Sequence, residues 1–121
     1  LAGRSELDLV ATPEFGIIHP IGELPGLYLL PAGTLPPNPL ELLQRAEFAA
    51  LIRQLLDAFD YVIVDTPATG KAADGRVIAG QCGAAVILGR RNTSAIEPMR
   101  KLIGSLGTTP TRIAGILIND Y

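Results

Sequence analysis

The stretch Tyr61-Val62-Ile63-Val64-Asp65-Thr66-Pro67 decides how the rest of the chain is read. Its first four residues are aromatic or β-branched, the types that fit a pleated, packed surface. They are apolar in succession rather than in alternation. That is the habit of a strand buried on both faces inside a parallel sheet, where helices cover each side. The run predicts a buried strand over 61–64 that delivers Asp65 at its C-terminal tip.

Working outward, the neighbouring segments supply what such a strand needs. Before it, Leu42, Leu43, Ala46, Ala50, Leu51, Leu55 and Leu56 recur at three- and four-residue spacing, predicting a helix over 40–59 with one apolar face. Asn38 stands at its cap position and Pro39 in its first turn. After it come a loop over 66–73, a short helix over 74–81, a strand over 84–88, a helix over 95–106 capped by Thr93 or Ser94, and a strand over 113–118. Gly107 is placed to stop the last helix. Leu27 to Leu30 is a further short strand. Residues 1–26, with Pro13, Gly16, Pro20, Gly22, Pro25 and Gly26, read as an irregular lead-in. Strand, helix, strand, helix, strand with short connections specifies an α/β layer with a parallel sheet and flanking helices. Ligands in open sheets of this kind bind beyond the carboxyl ends of the strands. Three polar groups fall there: Asp65-Thr66, Arg90 to Ser94, and Asn119-Asp120.

Composition narrows the class. The 121 residues fit one domain or part of one. Apolar residues make up 48 %, yet no run approaches the roughly 20 apolar residues of a membrane-crossing helix. The apolar excess therefore belongs to buried strands. A net charge of −2 carries no nucleic-acid footprint. The single cysteine, Cys82, excludes an internal disulfide and fits a reducing, cytoplasmic setting. The chain opens on Leu1 rather than Met, which leaves room for an upstream start.

An apolar strand ending in Asp is how a Walker B carboxylate is held near magnesium. That ion takes oxygen ligands and keeps several waters, so one carboxylate acting through water suffices. The other reading of Asp65 is a strand-end carboxylate that caps the next turn. The pattern G-x-x-x-x-G-K-[ST], which cradles phosphates, does not occur. Gly70-Lys71-Ala72 mimics its end, but Ala72 has no hydroxyl for magnesium and Asp65 stands where the first glycine belongs. Lys71 reads as a solvated loop residue. His19 has no second metal ligand beside it and reads as a loop or surface residue. Cys82 reads as a small buried apolar side chain. Arg90-Arg91 could meet a phosphate or a neighbouring subunit; solvated loop charges are the commoner outcome.

The ordered set Leu30-Pro31-Ala32-Gly33, Pro36-Pro37-Asn38-Pro39, Glu41-Leu42-Leu43, Phe59 to Pro67, Asp74, Ala84 to Leu88 with Arg90 and Thr93, and Gly115 to Asp120 resembles the bacterial tyrosine kinases and their relatives in exopolysaccharide chain-length control. The likeness runs from about Leu27 onward, and Leu1 to Arg4 resembles the stretch after that family's second, Walker A′, strand. It implies a P-loop NTPase fold of the deviant-Walker type, with the phosphate loop and the Walker A′ Asp upstream of Leu1. It implies ATP and Mg2+ as cofactors, with Asp65 as the catalytic Walker B carboxylate and Thr66-Pro67 shaping its loop. Asn119 matches the residue that hydrogen-bonds adenine, a task suited to an amide that both donates and accepts; a turn-forming Asn is the other reading. Two departures stand out. Ala68 replaces a second proline, and the tyrosine-rich tail is reduced to Tyr121, the sole candidate phospho-acceptor there; Tyr28 and Tyr61 read as packing residues.

The reading that results covers residues 1–121 as the C-terminal portion of one ATPase or kinase domain. The expected function is ATP-dependent phosphoryl transfer, tyrosine autokinase-like, in exopolysaccharide or capsule biosynthesis, with this piece silent by itself. The implied partners are a membrane-embedded polysaccharide chain-length regulator and further copies of the protein, with no nucleic acid and a cytoplasmic place at the inner membrane face. Two alternatives stay open: a nucleotide-switch positioning ATPase of the septum-site or partition type, and a non-enzymatic interaction module.

Overall fold

The fold is described from a computed structural model, which covers residues 18–34, 36–67 and 74–120. It opens with a small antiparallel pair, β1 (His19–Pro20) and β2 (Tyr28–Leu29), in the register His19↔Leu29 and Pro20↔Tyr28. The lead-in is thus not wholly irregular. Its reversal is set by Pro25-Gly26, where Gly26 takes φ +84° and the Leu27 N–H donates to the Leu24 carbonyl at 3.0 Å. A turn with proline second and a positive-φ glycine third is the usual solution for that pair of residues. Tyr28 packs the hairpin against Phe59, its ring centroid 5.2 Å from that of the phenylalanine.

The helix expected over 40–59 is two helices, α1 (Pro39–Leu43) and α2 (Ala46–Ala58). Pro39 sits at the first turn as expected, while the Asn38 side chain makes no capping bond. Arg45 breaks the run by taking an extended conformation, φ −72° and ψ 151°. No glycine or proline stands at 44–45, so no local signal announces the break. An exposed ion pair, Arg45 Nη2 to Glu41 Oε1 at 3.1 Å, spans it and contributes little. On α2, Leu51, Ile52 and Ala58 are buried. Of the face expected from the spacing, Leu51 is buried and Ala50 and Leu55 are half-buried, while Ala46 and Leu56 are exposed, so the buried stripe is rotated toward Ile52 and Ala58.

The body of the fold is β3 (Ala84–Arg90), α4 (Ile96–Leu106) and β4 (Arg112–Asn119), with α3 (Asp74–Cys82) leading into β3. β3 and β4 pair in parallel from Ala84↔Arg112 to Arg90↔Asn119, with one irregularity between Ala85 and Val86. Both strands run further than the apolar pattern suggested, because the ladder carries on through polar residues at their ends. Ala79, Ile87 and Leu106 form the buried cluster, with Ala85, Met99, Leu102, Ile103 and Ile113 packed against it. Gly89 marks the closest approach of α4: a Cβ there would lie 2.7 Å from Met99 Cε and 3.1 Å from Ile118 Cδ1. Gly107 ends α4 without the left-handed cap expected of it, at φ −62°. The chain instead turns through 107–110, held by the Thr109 hydroxyl donating to the Leu106 carbonyl at 2.6 Å.

The segment 61–67 departs most from expectation. It enters neither sheet. Val62, Val64 and Thr66 are half-buried, while Tyr61 is 89 % and Ile63 93 % exposed. A parallel strand buries both faces only when neighbouring strands and two helical layers enclose it. Among the described residues, no strand pairs with this one.

Candidate functional site

The carboxyl end of the β3–β4 pair collects the polar residues that sequence placed beyond the strands. Arg90 and Asn119 are register partners at the last rung. One residue on, the Arg91 N–H donates to the Asn119 carbonyl at 2.8 Å, and Arg91 Nη1 lies 3.2 Å from Asp120 Oδ1. The turn that follows β3 is self-bonded. The Ser94 N–H donates to the Arg90 carbonyl at 2.8 Å, and the Arg90 N–H donates to Ser94 Oγ at 2.8 Å. Asn92 takes φ +58° in this turn, a conformation that Asn tolerates better than most residues. Ser94 therefore spends its hydroxyl on the turn. The cap position of α4 falls to Ala95, whose methyl group cannot accept a hydrogen bond.

Asp65 and Thr66 lie apart from this ladder. Asp65 is exposed and Thr66 half-buried. Among the described residues, no hydrogen bond or ion pair joins Asp65 to the β3–β4 edge. The structure thus brings together Arg90, Arg91, Ser94, Asn119 and Asp120, and leaves Asp65 on its own segment. Gly70, Lys71, Tyr121 and Leu1 to Arg4 lie outside the described residues.

The donor chemistry can be tested against magnesium. No group of three or more His, Cys, Asp or Glu that could hold a metal occurs among the described residues. A single exposed carboxylate fits one water-mediated position on magnesium, an ion that holds most of its waters. It does not make a full site. His19 is exposed, a surface residue, and it lies on β1 rather than in a loop. Cys82 is half-buried, and burial pushes its thiol pKa upward, in keeping with a packing role.

Two features escaped the sequence reading. Gly89 lies one residue past the strand expected over 84–88, and only the tertiary structure shows Met99 packed close against it. The Arg91–Asp120 pair was legible in hindsight. The two residues each stand one place beyond the ends of strands that share a register.

This is an α/β layer with a parallel sheet and flanking helices, the architecture of kinase domains of the P-loop NTPase type. The crystallised VpsO kinase domain superposes with a TM-score of 0.78 over 98 % of this chain and 54 % of that one, at 27 % identity. The chimerical protein CapA2B2 superposes with a TM-score of 0.72 over 78 % of this chain, at 26 % identity. In sequence, the tyrosine-protein kinase CpsD of Streptococcus agalactiae is 34 % identical over 99 residues, covering 79 % of this chain. The tyrosine-protein kinase ptk of Acinetobacter johnsonii is 30 % identical over 98 residues. No family model matches. The chain is homologous to the bacterial tyrosine-protein kinases, as its motifs implied. It spans 42 % of the length of CpsD and 13 % of ptk.

Proposed function

We propose that this chain is part of an ATP-dependent protein-tyrosine kinase domain that acts in exopolysaccharide or capsule assembly. One observation carries the reading. The motifs from Leu30 to Asp120 follow the order of the kinase pattern, with Ala68 as a departure within it, and the same chain superposes on a kinase domain over 98 % of its length. The polysaccharide setting rests on the motif resemblance. In this reading Asp65 occupies one magnesium position through water, Thr66 shapes the loop behind it, and Asn119 reads the adenine edge. Bound ATP supplies the phosphoryl group, and the protein's share is positioning and charge neutralisation. The phosphate cradle comes from another segment of the protein, since the sequence has no G-x-x-x-x-G-K-[ST]. Tyr121 is the acceptor candidate in this chain. A membrane-embedded chain-length regulator and further copies of the protein are the partners, which places the domain on the cytoplasmic side. No helix among the described residues is long and apolar enough to cross a membrane itself.

The test uses the longer protein that carries the phosphate cradle. ATP-dependent phosphate release and tyrosine phosphorylation are measured for the parent, Asp65→Asn and Tyr121→Phe. The reading expects turnover in the parent, its loss in Asp65→Asn, and reduced phosphotyrosine with intact turnover in Tyr121→Phe. A folded parent that neither binds nor turns over ATP refutes it.

A further inference from the structure

The geometry points to a positioning role for the Arg91–Asp120 ion pair: it fixes the end of β4 so that Asn119 holds one orientation toward a purine base. The inference rests on the reading of Asn119 as the base contact and adds the residues that set its selectivity.

Asn119 is the last residue of β4, where a strand ordinarily frays. Here the strand end is tied twice to Arg91, once at Asn119 and once at the residue after it. The Asn119 carbonyl accepts the Arg91 N–H at 2.8 Å, and the next side chain, Asp120, meets Arg91 Nη1 at 3.2 Å. One residue thus grips Asn119 through its backbone and Asp120 through its side chain. Arg91 is itself held, because it opens the turn in which Arg90 bonds twice to Ser94 at 2.8 Å. Anchor, clamp and Asn119 form a short chain of contacts at the sheet edge where ligands of this architecture bind.

Clamping matters more for reading a base than for attracting a nucleotide. An amide discriminates adenine from guanine only when its donor and acceptor face the matching atoms. A strand end that rotates loses that match without losing affinity for phosphates. Arg91 and Asp120 side chains are 66 % and 65 % exposed, so water screens the pair and its effect is modest. The backbone bond from Arg91 survives substitution, and what a variant removes is the side-chain half of the clamp.

The test is steady-state phosphate release by the longer protein, with ATP and GTP, for the parent, Arg91→Ala, Asp120→Ala, the exchanged pair Arg91→Asp with Asp120→Arg, and Asn119→Ala. Each clamp variant is expected to raise KM for ATP about two- to five-fold, to lower the ATP-to-GTP selectivity, and to keep kcat. The exchanged pair restores both values. Circular dichroism confirms folding, and a merely structural role would lower stability without moving selectivity. Single variants that keep the parent's selectivity while Asn119→Ala loses it overturn the clamp and leave the base contact standing. An exchanged pair that fails to restore selectivity also overturns it, because Arg91 then acts by itself. Asn119→Ala with unchanged selectivity overturns the base contact and the clamp together.

Discussion

The β3–β4 pair and the 61–67 segment both begin as apolar, strand-forming runs, and they fare differently. β3 and β4 are hydrogen-bonded along seven matched positions and close on α4 through Ile87, Leu106 and Met99. Residues 61–64 are as rich in strand-forming side chains, yet Tyr61 and Ile63 stand almost fully in water. The difference lies in neighbours rather than propensity. β3 ends at Arg90 and β4 begins at Arg112, with α4 between them, so the two strands are the halves of one strand–helix–strand unit. The 61–67 segment has no such partner among the described residues. Burial in a parallel sheet is a property of the set of strands, and a single strand cannot supply it.

The sharpest way to test this contrast is inside the paired region. Leu106 is 4 % exposed within the core cluster. Leu106→Ala is expected to destabilise the fold by about 2–5 kcal/mol in denaturant titration. That is comparable to the whole stability of a small domain, so loss of the cooperative transition is the extreme form of the same result. A cost below about 1 kcal/mol would mean that the cluster does not hold the layer together.

The next effect belongs to the exposed segment and is functional. Asp65→Asn in the longer protein keeps size and hydrogen bonding but removes the charge. It is expected to lower ATP turnover by a factor on the order of 10², the scale on which positioned electrostatic groups act, with unchanged circular dichroism. Turnover equal to the parent's would remove the Walker B role from Asp65.

Gly89→Ala returns to the paired region with a smaller effect. The added methyl would sit 2.7 Å from Met99 Cε, the far end of a flexible side chain. Overpacking costs about 1–3 kcal/mol, and the adaptability of methionine favours the lower end. Gly89→Ala combined with Met99→Ala should recover part of that loss, and additive losses would show that the two positions do not touch.

The smallest effect is expected at Ile63, 93 % exposed. Ile63→Ser in the 121-residue chain should change unfolding free energy by no more than about 0.5 kcal/mol. In the longer protein the same change should cost several-fold more if another strand covers this position. Equal costs in both would erase the contrast between the two regions.

Much of the fold was legible in the sequence because its signals are local. The apolar runs at 84–88 and 113–118, the three- and four-residue spacing on α2, and Pro39 at a first turn each identify their element from side-chain chemistry alone. The carboxyl-edge cluster of Arg90, Ser94 and Asn119 was legible too, since strand polarity fixes which end of a parallel strand carries the site. The break at Arg45, the use of Ser94 in a turn rather than as a cap, and the αR conformation of Gly107 were not. Each depends on which of several competing local hydrogen bonds wins, and residue types alone do not decide that contest.

The sequence by itself determined the order of the elements from α3 to β4, the homology to bacterial tyrosine-protein kinases and the identity of the candidate residues Asp65 and Asn119. Those follow from residue types and their spacing along the chain. Only the tertiary structure decided that Arg91 bridges to Asp120, that Met99 packs close against Gly89 and that Tyr61 and Ile63 lie open. Register, close approach and burial are relations between segments, and no segment carries them alone.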